Sequence, residues 1–416
     1  MLEQIISTSQ VSVNVDPFLN VINQLDQFHL SPDLVNLSDY CFNARRELHK
    51  IPELSGEEFK TSVFCQKLMK EAGFVVTTYE KFTGFIADLT INSSFSRIAF
   101  RADMDALEMQ DMTSDAYTST HDGKAHNCGH DSHMAIALTT AKYLAEHQTD
   151  LKYNLRFIFQ MAEEDMRIPG ACKMVELGCM EGVQQVYGLH NDANLECGTV
   201  NINNGIMSSY GSAWTLDIQG ISAHGSTPQK GLDAIREGAR IIAEMDYIVA
   251  KKTSPFSPAV FGCGMFNGGT IPNAVADKVQ ARGTIRSMDA ETDQILKDSF
   301  NSITKESELR GYKASMDCVG YPAIINHKDA YQRVVNSAIK VVPDSLLNSN
   351  CSPMTGSEDF SLMVNATENQ YGAMFFLGTG NISKGIQNYL HANPYYLDED
   401  AMLVGAQIFI NLATES

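Results

Sequence analysis

The chain has 416 residues and carries 31 lysines and arginines against 50 aspartates and glutamates, a formal net charge of −19. Nucleic-acid backbones and anionic membrane surfaces repel such a charge, which excludes polyanion binding as the main role. With 44% hydrophobic residues the chain can bury a sizeable core and is not a disordered protein. At roughly 150 residues per domain its length suits two or three domains.

The first 15 residues show no basic cluster ahead of an apolar block, so no secretory signal is expected. No apolar stretch approaches the roughly 18 to 20 residues of a membrane span. The nine cysteines are scattered, odd in number and form no C-x-x-C pair, a pattern of free thiols in a reducing compartment. A cytoplasmic protein is the expectation.

Residues 1–30 are polar and weakly periodic and read as an N-terminal arm. Helical spacing over about 39–48 and 57–72 predicts two helices, the second stopped by Gly73. Short apolar runs then alternate with helical ones: strands at 85–91, 97–101, 154–160 and 185–189, and helices at 132–146 and 170–177. This alternation predicts an α/β fold with a mixed, largely parallel sheet flanked by helices. Polar clusters follow three of these strands: Ala102-Asp103-Met104-Asp105, Glu163-Glu164-Asp165 and His190-Asn191-Asp192. Open α/β sheets bind ligands outside the carboxyl ends of their strands, so these clusters should share one crevice.

Between 207 and 320 the order becomes β-α-β-β-α-β, the ferredoxin-like arrangement of one small inserted α+β domain. After Tyr321-Pro322 the α/β pattern resumes. The expected division is a discontinuous catalytic domain, 31–206 with 321–416, and an inserted lid or dimerisation domain, 207–320.

The densest chemical feature is His126-Asn127-Cys128-Gly129-His130-Asp131-Ser132-His133. Neutral imidazole and thiolate are preferred ligands of zinc and its borderline-soft neighbours. The alternative is a polar helix start capped by Asp131 or Ser132. Glu163 and Glu164 are adjacent on the chain, so their side chains diverge: one could ligate metal while the other serves as a general base. His190 and His391 each follow an apolar run. With Cys128, His130 and Glu164 they make five donors of mixed N, O and S type, too many for one tetrahedral ion and suited to a two-metal site with ions about 3.5 to 4 Å apart.

These residues stand in motifs that resemble the metal-dependent amidohydrolases related to aminoacylases and zinc carboxypeptidases. The branch they resemble holds the hippurate hydrolases and the hydrolases of auxin–amino-acid conjugates. The matching stretches are R-A-D-M-D-A-L (101–107), H-N-C-G-H-D-S-H (126–133), Q-M-A-E-E-D (160–165), Y-G-L-H-N (187–191), N-G-G-T-I-P-N (267–273), G-T-I-R (283–286), G-S-E-D-F (356–360) and Y-L-H-A-N-P (389–394). The resemblance implies a zinc-exopeptidase-like catalytic domain and two divalent metal ions per subunit. Zinc is the ion a cysteine ligand favours, with manganese, cobalt or nickel as alternatives.

It further implies Cys128, His130, Glu164, His190 and His391 as metal ligands, Glu163 as catalytic base and Asp103 as a carboxylate orienting a ligand. His133 matches no ligand of the family. His224 looks like the lid histidine that hydrogen-bonds the substrate carbonyl, and Asn273 and Arg286 are similar to residues that grip the substrate carboxylate.

Departures from the family pattern at Glu108, Arg167-Ile168-Pro169, Gly225, Ser226, Gln229 and Ala276 bear on substrate choice and leave the metal ligands untouched. The expected function is metal-dependent hydrolysis of the amide of N-acyl-L-amino acids by activated water, releasing a carboxylic acid and a free amino acid. The expected partners are this small-molecule substrate and a second copy of the chain through the lid, with neither nucleic acid nor membrane. The alternatives are a dipeptidase or carboxypeptidase of the same superfamily, and a catalytically silent metal-binding protein.

Overall fold

A computed structural model describes residues 24–166 and 170–415. Its larger sheet has eight strands in the order Val75–Thr78, Phe85–Leu89, Asn154–Gln160, Arg97–Asp103, Val183–Glu196, Gly372–Gly380, Val200–Asn201 and Leu347–Asn348. The middle of this sheet, from Asn154–Gln160 to Gly372–Gly380, is parallel, and antiparallel pairs flank it. Strands Asn154–Gln160 and Gly372–Gly380 are buried at every position, as parallel strands covered on both faces must be.

Helices Ser38–His49, His130–Glu146, Asp400–Thr414 and Lys328–Val341 pack side by side as one covering layer. The short helices Gly170–Glu176 and Phe360–Asn365 pack together elsewhere against the sheet. Helix His130–Glu146 is buried over most of its circumference because it lies between the sheet and its neighbouring helices.

The second sheet is four-stranded and antiparallel, in the order Ala259–Gly268, Lys278–Ser287, Tyr210–Gln219, Lys313–Tyr321. Helices Ala234–Lys252 and Ala290–Leu309 cover one of its faces, which completes the ferredoxin-like order. Asp233 and Asp289 cap these helices by accepting amide hydrogens of their first turns. This unit has its own core, where Trp214 stacks on Phe261 at 5.0 Å and meets Phe300 edge-on. The two connections to the larger sheet run side by side, Gly205–Ile206 pairing with Ile325–Asn326.

Three details depart from the sequence reading. The strand expected to end at Leu189 continues to Glu196, so His190, Asn191 and Asp192 lie within it. Its parallel neighbour Gly372–Gly380 supplies ladder partners past the apolar run, and pairing rather than hydrophobicity sets the strand's length. The helix expected from about 132 starts at His130. Residues 1–23 of the expected arm lie outside the described residues, whereas Phe28 is buried in the main core and the amide of His29 donates to the carbonyl of Val341 at 2.8 Å. Among the described residues no helix is long and apolar enough to cross a membrane.

Candidate metal centre

The parallel strands deliver their polar residues to one end of the sheet. Asp103 closes its strand in register with Gln160, and the chain after Gln160 turns through Ala162 to Glu163 and Glu164. His190 pairs with Phe376 on the next strand. Helix His130–Glu146 starts at the same end, preceded by Cys128 and by Gly129 at φ 81°. A Cβ on Gly129 would stand 2.3 Å from Asn191 Nδ2, so the turn passes the strand only as glycine. His391 enters from the loop between strand Gly372–Gly380 and helix Asp400–Thr414, itself at φ 65°.

The five expected ligands meet as two triads that share a sulfur. Donor atoms of Cys128, His130 and His190 lie within 4.8 Å of one another, and so do those of Cys128, Glu164 and His391. Cys128 Sγ is 3.6 Å from His190 Nε2, and His391 Nε2 is 3.2 Å from Glu164 Oε1.

Backbone carbonyls hold the Nδ1 atoms of two of these histidines, and the proposed ligand atoms contact one another rather than the rest of the protein at His190–Cys128 and His391–Glu164. His130 Nδ1 donates to the carbonyl of Asp105 at 2.8 Å and His190 Nδ1 to the carbonyl of Asn191 at 2.7 Å. A carbonyl can only accept, so each Nδ1 carries a hydrogen, and Nε2 is the nitrogen each ring offers to a metal ion, which displaces any proton it holds. His130 Nε2 and Glu164 Oε1 are buried without a hydrogen bond. Protein interiors usually satisfy such atoms, and open imidazole and carboxylate donors beside a thiol fit a divalent ion.

Two residues inside the same motif are committed elsewhere. His133 Nδ1 donates to Asp103 Oδ1 at 2.6 Å, and its Nε2 accepts the amide of Asn191 at 3.0 Å. Asp131 is held by Arg45 Nε at 2.9 Å and His49 Nδ1 at 2.8 Å. Asp103 hydrogen-bonds His133 and Arg101 and stands 3.4 Å from His130 Nε2, and the Asp105 carbonyl accepts from His130 Nδ1. Nothing in the sequence pattern marks Asp105 for this role.

Buried charge shapes the rest. Burial favours the neutral form of Asp103, but Arg101 and His130 outweigh it and hold the carboxyl well below its usual range. Burial pulls the His130 pKa down, yet Asp103 and Asp105 bring it up to about 10. Cys128 is pushed well above the ordinary thiol range by burial and then by the charges of Glu164 and Glu163. Negative charge thus accumulates around the sulfur, which a cation would answer.

Burial first, and then Glu358, raise Glu163 well above the usual carboxyl range. Arg101 is the cation of this cluster, at 2.8 Å from Glu358, 2.7 Å from Asp103 and 3.2 Å from Asp359. Glu358 and Asp359 belong to the G-S-E-D-F stretch, where the sequence showed the motif but no role. The turn bearing Glu163 is pinned on both sides. The Ala162 amide, at φ 50°, donates to Glu58 at 2.8 Å, and the Glu164 amide donates to Asp105 at 2.9 Å.

A cavity of about 350 Å³ opens over the triads, lined by Cys128, Glu163, Glu164, His190 and His391, and on its other side by Arg286, Tyr321, Met166 and Met354. Arg286 and Tyr321 stand on either side of Gly211 in one row across the second sheet. A Cβ on Gly211 would meet Ser357 Oγ at 2.2 Å, so the missing side chain admits the G-S-E-D-F loop beside Arg286. His224 and Asn273 are exposed and line no part of this cavity. They sit at the short ladder Ala223–His224 with Ala274–Val275, past the opposite end of strand Tyr210–Gln219. From Gly211 to Gln219 an extended strand covers roughly 26 Å.

Known proteins share this architecture. The family model described as peptidase family M20/M25/M40 matches residues 99–415. The N-acetyl-L-cysteine deacetylase of Bacillus subtilis is 32% identical over 379 residues, which is 91% of this chain and 88% of that protein. The IAA-amino acid hydrolase ILR1-like 4 of Arabidopsis thaliana is 30% identical, covering 90% of this chain and 85% of its own. In the solved structures, the Bacillus subtilis YXEP protein, a dinuclear metal binding peptidase from the M20 family, aligns with a TM-score of 0.74 at 27% identity, over 91% of this chain and 98% of that one. The chain is thus a hydrolytic enzyme acting on amides and belongs to peptidase family M20/M25/M40.

Proposed function

We propose that the protein hydrolyses N-acyl-L-amino acids at a two-metal centre held by Cys128, His130, Glu164, His190 and His391. The observation that carries this reading is the sharing of Cys128 between two triads, with His130 Nε2 and Glu164 Oε1 buried and without hydrogen-bond partners, directly beside Glu163. Zinc is the ion best matched to the thiolate, with manganese, cobalt and nickel compatible with the mixed donor set. Divalent ions bound there supply the Lewis acidity that makes a water deprotonatable near neutral pH.

The chain's own residues do the rest. Glu163, with its raised pKa, accepts the proton of the attacking water and returns it to the leaving nitrogen. Glu58 and Asp105 hold the backbone on either side of it, so the carboxyl meets the cavity in one orientation. Asp103 acts through His133 and Arg101, keeping the strand end charged and rigid. Arg286 reaches the cavity without a carboxylate partner among the described residues, and its planar fork suits the substrate's free carboxylate. Met166, Met354 and Leu390 add an apolar wall for the acyl or amino-acid side chain.

The division into a catalytic unit (31–206 and 321–416) and a lid (207–320) follows the two separate cores. His224 and Asn273 stand at a two-stranded ladder of the same unit as Arg286, past the far end of the four-stranded sheet. A closure that moves the unit as one body keeps the two groups apart. A homodimer through the lid, in which a second copy presents His224 and Asn273, satisfies both roles. All nine cysteines are free, and the cytoplasm is the compartment that keeps them so.

The test is metal analysis of protein purified without added metal, followed by a panel of N-acetyl and N-benzoyl amino acids beside plain dipeptides. Hydrolysis of the acyl amino acids with bound metal supports the reading. Turnover confined to dipeptides makes the protein a dipeptidase, and no turnover with metal bound makes it a silent binder.

A further inference from the structure

The two triads differ in how their ligands are held. The inner one, Cys128 with His130 and His190, consists of buried side chains on a helix start and a central strand. The outer one depends on His391, whose side chain is 49% exposed and whose carrier is a long loop. A ligand on such a loop costs conformational entropy to immobilise unless something fixes the loop beforehand.

Asn127 fixes it. Its carbonyl accepts the amide of His391 at 2.9 Å, and its side-chain amide donates to the carbonyl of Ala392 at 2.7 Å. The two bonds straddle His391, a residue in the left-handed region at φ 65°. They originate one residue before Cys128, the ligand common to both triads. Within the loop the Ala392 amide donates to the Tyr389 carbonyl at 3.0 Å, and other bonds that tie the loop to distant segments lie further from the ligand, among them Asn388 to Ala193, Asn393 with Gln110 and Met112, and Tyr395 to Asn191.

Asn127 is fully buried, and its side-chain oxygen has no hydrogen-bond partner. An unpartnered buried acceptor is unfavourable, so packing alone would be served better by leucine. The donor half of the amide is what the position requires.

We propose that Asn127 is a positioning residue for the outer ion alone: its carboxamide sets where His391 stands relative to Cys128 and Glu164. The proposal rests on the two-ion reading above. Loss of partners that orient a ligand typically weakens metal binding by about 10- to 100-fold.

The experiment uses full-length protein stripped with chelator and titrated with zinc alone, comparing wild type with Asn127→Leu and Asn127→Ala. Leucine keeps the volume and removes the donor, and alanine guards against misfolding of the leucine variant. The expected result is two ions per chain in wild type. In the variants, one ion keeps its wild-type affinity and the second binds about 10- to 100-fold more weakly. In cobalt-loaded variants, the thiolate-to-cobalt charge-transfer band should survive at one ion per chain, because Cys128 still serves the inner site. Two ions at wild-type affinity in both variants would overturn the proposal, as would loss of both ions together. Wild type that takes only one ion would overturn the two-ion reading itself.

Discussion

His133 donates its Nδ1 hydrogen to Asp103 at 2.6 Å while its other ring nitrogen accepts the amide of Asn191 at 3.0 Å. Both nitrogens are spent, so a histidine three residues from His130 is closed to metal. His133→Ala would leave a buried carboxylate oxygen and a buried amide without partners, at about 2 to 3 kcal/mol of stability. The variant should still bind two zinc ions, whereas His130→Ala should lose the inner one. Metal analysis alongside thermal unfolding checks this, and loss of an ion from His133→Ala would refute it.

Glu163→Gln removes the proton acceptor while keeping the shape and the pinned turn. The expected outcome is unchanged metal content and a kcat lower by about 10²- to 10⁴-fold. Near-normal turnover would transfer the base role to another group, with Glu358, whose carboxyl lies within 4.8 Å of that of Glu163, the one to examine.

Glu58 gives a pH signature. Burial is the main cause that raises its carboxyl from 4.5 to about 7. A carboxyl raised on folding favours the folded state while protonated. Its contribution is present below about 4.5 and is lost as pH rises through about 7, a cost of about 3 kcal/mol. Glu58→Gln cannot ionise and keeps an acceptor for the Ala162 amide. Its melting temperature should therefore fall less than wild type's between pH 5 and pH 8, and parallel curves would refute the assignment.

Arg286→Ala tests the carboxylate grip. Loss of a charge-assisted pair of roughly 3 kcal/mol should lower kcat/KM on the order of 10²-fold, mostly through KM. The corresponding N-acyl amino-acid amides, which lack the carboxylate, should be hydrolysed equally by variant and wild type. An equal loss on both substrates would make Arg286 a structural residue.

The sequence by itself determined a good deal. Apolar runs such as N-L-R-F-I-F-Q declare parallel strands because both faces must be covered, and the amphipathic helices show their own periodicity. The thiol, imidazole and carboxylate donors were legible because few residue types bind metal and they stand in ordered motifs across the chain. The strand-helix order from Tyr210 to Tyr321 similarly declared a ferredoxin-like unit.

Tertiary structure alone decided which of these groups are available. Whether a histidine nitrogen is free depends on what lies 3 Å from it, and Asp103, Asp105 and Asn191 come from segments distant in sequence from the histidines they meet. The sharing of Cys128 by two triads, the Arg101 cluster with Glu358 and Asp359, and the clamp of Asn127 on the His391 loop are likewise contacts between segments far apart on the chain. The same holds for His224 and Asn273, whose motif is clear but whose place past the far end of a strand is not. Motif spacing records residue types, whereas hydrogen bonds and distances arise only when the chain has folded.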